Sequence, residues 1–191
     1  FLTDYGCASA VLVFSLFAVW KAGKQCVFFF LGAILPGLLF AWYHISCFGS
    51  PFVLASFYNN PQFIDSEKTF GIFSLPSSFL MVKLLFGAER GVFWGSPVLL
   101  LGVPGLMTFW KEGKKQREFV CFLAAWILLA LTSNASFNGW HAGLTISARY
   151  LIFTLPAFGI AAAKCPLHVP WRRICFAGLA LLSWCNMFVI S

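Results

Sequence analysis

The sequence predicts an all-α fold, a polytopic bundle of about six transmembrane helices with a short interfacial helix in its first long outer loop. Three observations lead there. With 60% hydrophobic and only 10% charged residues among 191, the chain carries more apolar surface than a soluble domain of this size can hide. Six apolar stretches, at residues 2–20, 26–46, 92–110, 119–137, 144–163 and 174–191, each approach the roughly 20 residues that cross about 30 Å of hydrocarbon. The basic residues alternate sides, because Lys21, Lys24, Lys111, Lys114, Lys115, Arg117, Lys164, Arg172 and Arg173 all fall in every second connection. The positive-inside rule makes those connections cytoplasmic and puts both termini, with Lys68, Lys83, Arg90 and Arg149, outside. The net charge of +7 then reads as topology signal in contact with membrane lipid, and nucleic acid is not an expected partner.

The first stretch opens on Phe1 at the outer face, followed by Leu2-Thr3-Asp4-Tyr5, without the basic region and cleavage site of a signal peptide. The expectation is a single transmembrane domain, residues 1–191, that is the carboxyl-terminal part of a longer protein whose missing amino-terminal half is its partner. Trp20, Trp42, Tyr43, Trp94, Trp110 and Tyr150 stand at stretch ends, where an amphipathic ring meets headgroups. The outer segment 47–91 is too long for a simple connector. It starts with the turn signal Phe48-Gly49-Ser50-Pro51, continues through Tyr58-Asn59-Asn60-Pro61-Gln62, and carries Asp65 and Glu67. Ser74-Leu75-Pro76-Ser77 then predicts a helix over 75–86 with Gly87 as its stop. Being apolar but too short to span, that helix belongs at the membrane surface or tucked into the bundle.

Charge in these outer segments carries the candidate chemistry. Lys83 and Arg90, seven positions apart, would flank a cavity mouth and hold an anionic headgroup; the alternative is that both snorkel to phosphates. Arg149 is drawn into the outer leaflet because the fifth stretch is too short without residues 144–149. A guanidinium there costs several kcal/mol unless it faces a cavity or an anion, and a lipid phosphate or diphosphate suits its two-point grip. An ion pair with Glu89 or Asp4 is the alternative.

Phe48-Gly49-Ser50-Pro51, then Leu85-Phe86-Gly87 with Arg90-Gly91-Val92-Phe93 and Ser96-Pro97, then Gly139-Trp140-His141-Ala142-Gly143 with Ala148-Arg149-Tyr150-Leu151 and Pro156, follow an order that resembles a known family. It is similar to the carboxyl-terminal half of prokaryotic membrane glycosyltransferases of the GT-C class, close to protein mannosyltransferases and aminoarabinose transferases. Relatives tend to read Trp-Trp-Gly-Gly and Gly-Pro-Arg-Tyr where this chain has Trp140-His141-Ala142-Gly143 and Ser147-Ala148-Arg149-Tyr150. The resemblance implies an integral bacterial inner-membrane enzyme that takes a sugar from a polyprenyl phosphate or diphosphate on the extracytoplasmic face. It implies Arg149, Arg90 and Lys83 as groups for the departing lipid phosphate, and contacts to acceptor or sugar from Trp140, His141, Asn59 and Tyr58. The family's main carboxylate lies in a first outer loop that precedes this chain, so the catalytic base is expected to be missing. Asp4, Asp65 and Glu89 are supporting acids, with a helix-start role as the alternative for Asp4.

No other chemistry is well served. The chain has no P-loop, G-x-S-x-G elbow, H-E-x-x-H or dinucleotide fingerprint, and no metal or cofactor is expected. The seven cysteines have no C-x-x-C pairing, His44 and His141 alone make a weak metal case, and Asn134-Ala135-Ser136 is a sequon by pattern only. Two other classes stay open, a lipid-linked-sugar transporter or flippase and a non-catalytic scaffold subunit.

Overall fold

A computed structural model describes residues 7–53, 73–89, 91–137, 139–140, 149–168 and 170–190, with the backbone alone at 149 and 187–190. Among these the chain is helical, with no strand. It divides into two compact units, Phe1–Leu75 and Pro76–Ser191.

The first unit is a helical hairpin of α1 (Ala8–Ala22) and α2 (Cys26–Phe48). Both are rich in Leu, Phe and Ala, which helices accommodate readily when lipid or protein covers their sides. The reversal falls at Gly23, whose φ of +50° lies where a side chain is rarely tolerated. Ala10, Val11, Phe14 and Ser15 of α1 face Phe29, Phe30 and Ala33 of α2 across an open apolar cleft of about 400 Å³. The expected turn at Phe48-Gly49-Ser50-Pro51 is the end of α2, where the Gly49 N–H donates to the Ile45 carbonyl. His44 is buried against Phe40 and Phe48. Its Nδ1 lies 3.0 Å from the Val53 carbonyl; since a carbonyl only accepts, that nitrogen carries the hydrogen.

The second unit is built around α6 (Lys114–Ser136). It packs α3 (Ser78–Phe86) and the 3-10 segment Arg149–Thr154 along one part of α6, and α5 (Gly102–Lys111) and α7 (Leu155–Ala163) along another. The expected helix at 75–86 starts three residues late. Pro76 disfavours helical geometry at Leu75, and Ser77, not Ser74, is the cap, accepting from the Leu80 N–H at 3.5 Å.

The third expected span does not form one helix. It is divided into α4 (Val92–Gly95), a 3-10 segment Pro97–Leu101 and α5. Pro97 has no N–H and forces Ser96 out of helical geometry, to φ −136° and ψ +73°. In a continuous helix the Val98 N–H would donate to the Trp94 carbonyl. Instead it donates to Ser183 Oγ at 3.0 Å, while the Trp94 carbonyl accepts from Asn186 Nδ2 at 2.7 Å. Ser183 and Asn186 are one turn apart on α8 (Pro170–Ile190). One face of α8 thus satisfies both groups freed by the break.

Small residues allow α5 and α7 to run side by side. A Cβ at Gly105 would stand 1.7 Å from the Ala161 carbonyl oxygen, so only glycine fits that approach. At the far end of the same pair, Lys164 reaches Glu112 at 3.1 Å and stands over the Phe109 ring.

Among the described residues two helical stretches are long and apolar enough to cross a membrane: Ala8–Phe48, with its turn at Gly23 and mean hydropathy 2.0, and Lys114–Ser136, with mean hydropathy 1.8. Pro97–Lys111 and Tyr150–Ala163 are apolar but shorter. The fifth expected span depended on residues 144–148, which lie outside the described residues; its described part is the 3-10 segment 149–154 followed by α7.

Candidate lipid-phosphate site

The 23 residues of α6 separate the ends of the second unit by about 34 Å at 1.5 Å per residue. One end is basic. There the turn between α5 and α6 and the turn between α7 and α8 meet through Glu112 and Lys164. Arg117 donates to the Trp110 carbonyl, and Arg173 to the Leu167 carbonyl. Lys164, Arg117 and Arg173 are thus held by a carboxylate or a carbonyl, while Lys111, Lys114 and Lys115 beside them are in no ion pair among the described residues.

The opposite end is built on a cluster of Leu84, Val92, Ala130, Leu131, Ala135, Leu151 and Phe158. Leu84 is fully buried in it, and Leu80 and Leu85 of the same helix pack beside it. This seating fixes the face of α3 and with it the direction of Lys83. On the other side α6 ends in two tight turns, the Phe137 N–H donating to the Asn134 carbonyl and the Trp140 N–H to the Phe137 carbonyl. These turns bring the Trp140 indole onto the cluster. Lys83 and Trp140, distant in sequence, therefore meet, with the Lys83 Nζ 5.0 Å from the ring centroid. Such a contact is worth about 0.5 to 2 kcal/mol, depending on how far the ammonium is desolvated.

Lys83 is half-buried and forms no ion pair among the described residues. A partly desolvated ammonium without a carboxylate attracts an anion.

Of the other expected site residues, Glu89 is exposed in the turn that follows α3, and Arg149 opens the segment whose Leu151 enters the cluster. The Arg149 side chain, and Arg90, His141, Asn59, Tyr58, Asp4 and Asp65, lie outside the described residues. Among the described residues no three His, Cys, Asp or Glu side chains gather as metal ligands, and all seven cysteines are free.

Sequence reasoning passed over Asn134. Its side chain is only 6% exposed, and neither amide atom has a hydrogen-bond partner among the described residues. That burial leaves no room for a glycan on the Asn134-Ala135-Ser136 pattern. The available signal was a carboxamide within a stretch expected to cross the membrane, where a polar side chain is costly enough to suggest a use.

No protein-family model, curated protein or solved structure matches this chain.

Proposed function

We propose that this chain is the carboxyl-terminal part of a multi-pass membrane glycosyltransferase of the GT-C type, which holds a polyprenyl-phosphate-linked sugar at the extracytoplasmic end of its second unit. The observation that carries the reading is the Lys83–Trp140 pair, an ammonium without a carboxylate partner among the described residues, on an aromatic platform at the end remote from the basic turns. Membrane placement is supported by the two long apolar stretches and by the exposure of Phe28, Leu35, Leu38 and Trp42 on α2. The basic turns face the cytoplasm in this reading.

In the transfer, the bond between the sugar's anomeric carbon and the phosphate oxygen breaks as an acceptor oxygen bonds to that carbon. Negative charge grows on the departing lipid phosphate, where Lys83, with Arg90 and Arg149, stabilises it. The carboxylate that removes the acceptor's proton is assigned to the part of the protein that precedes this chain.

A photoactivatable polyprenyl phosphate, incorporated with the full-length protein into lipid nanodiscs, tests the reading. Labelling should concentrate at 80–89 and 139–150. Labelling confined to the basic end, at 111–117 and 164–173, would reject it.

A transporter for a lipid-linked sugar is favoured by one feature, the break at Ser96–Pro97 held by α8, since interrupted helices line transport sites. Transfer of the sugar to an acceptor, as opposed to movement of the intact donor between leaflets, separates the two.

A further inference from the structure

We infer that Asn134 recognises the sugar of the bound lipid donor, through adjacent ring hydroxyls; this rests on the donor-binding reading above and deepens it. Other polar side chains at this end are satisfied within the fold. The Thr154 hydroxyl is buried and donates to the Leu151 carbonyl at 2.6 Å; the Ser136 hydroxyl donates to the Thr132 carbonyl at 2.8 Å. Asn134 is buried too, yet its Nδ2 and Oδ1 have no partner among the described residues. Such a group is destabilising unless something else satisfies it, and a binding site is a common place for that exception.

Its position selects the ligand. Ala130 and Leu131, one turn before it on its face of α6, are both in the cluster that seats Leu84 and, through it, α3. Trp140 follows two turns downstream and packs on the same cluster, with Lys83 over its ring. The ammonium over the indole and the unpaired carboxamide thus belong to elements that are seated on one set of apolar residues. Phosphate matches the first, a sugar's C–H face matches the second, and neighbouring hydroxyls match the third. A carboxamide offers an acceptor and a donor side by side, and two adjacent hydroxyls can answer both at once. A bare lipid phosphate would engage Lys83 and leave Asn134 unpaired. Only a lipid carrying the sugar satisfies both, so Asn134 is assigned to specificity and Lys83 to the phosphate.

The test is binding of two probes to the full-length protein in nanodiscs: polyprenyl phosphate, and the same lipid phosphate carrying mannose. In Asn134→Leu, similar in size and apolar, affinity for the mannosyl lipid should fall at least tenfold. Affinity for the bare lipid should stay within twofold, and thermal stability should hold or rise because an unsatisfied buried amide is gone. If Asn134→Leu does not insert, Asn134→Ser is read in the same way. Unchanged preference for the mannosyl lipid in the folded variant overturns the inference and leaves the donor-binding reading standing. Failure of the parent protein to bind either probe overturns both.

Discussion

The two longest apolar stretches are almost equally apolar, with mean hydropathy 2.0 for Ala8–Phe48 and 1.8 for Lys114–Ser136, yet none of the first stretch's most apolar window is buried against 44% of the second's. Their neighbours explain the difference. Gly32 and Gly37 of α2 have open space where a side chain would stand, whereas Gly105 on α5 meets the Ala161 carbonyl. In the hairpin, glycine and alanine are simply small; beside α6 they let backbones touch. Hydropathy reports what can surround a helix. Burial is decided by where small residues and chain breaks admit a second helix.

That contrast can be broken by matched substitutions, compared by thermal unfolding of the protein in one detergent. Leu84→Ala, which empties a fully buried position, should cost about 2 to 5 kcal/mol. Its exposed counterpart Leu38→Ala on α2 should stay within about 0.5 kcal/mol, and equal losses would mean that the hairpin is packed as tightly as the second unit. Gly105→Ala should cost about 1 to 3 kcal/mol, because backbone must move to admit the methyl group, while Gly37→Ala is neutral or slightly stabilising. Asn186→Leu strands the Trp94 carbonyl at the helix break and should cost about 1 to 3 kcal/mol. A neutral result would show that the break needs no support from α8. Lys164→Gln, which removes a half-exposed ion pair at the basic end, should change stability by about 1 kcal/mol or less.

Much of the helical framework was legible in the sequence. Gly49, Gly87 and the end of α6 could be read from apolar runs and their stops, and Lys83 from its charge beside a short apolar helix, whereas α6 starts at Lys114, five residues before the expected 119, because Lys, Gln, Arg and Glu extend a helix beyond its apolar run. The division of residues 92–110 was not, although Ser96-Pro97 was in view, because an unbroken apolar run outweighs one proline in any hydropathy window. The start of α3 was misplaced because Ser74 and Ser77 both flank Pro76, and only the backbone decides which of them caps. The meeting of Lys83 with Trp140 was hidden by their separation along the chain, since it depends on Leu84 and Ala135 entering one cluster. Asn134 was read as part of a sequon rather than as a buried polar group in the last turn of α6. Its lack of a partner is a property of the packed neighbours and has no trace in the sequence.

The central claim, that the end bearing Lys83 and Trp140 takes a lipid phosphate and the basic end does not, is tested most directly by titrating polyprenyl phosphate into nanodisc-embedded full-length protein. Parent, Lys83→Gln and Lys164→Gln are compared at equal, low ionic strength. The account predicts that Lys83→Gln weakens binding about tenfold, as expected for a charge-assisted contact worth roughly 1.5 kcal/mol, and that Lys164→Gln binds like the parent. Equal affinity in Lys83→Gln and the parent, or a larger loss in Lys164→Gln, would contradict it.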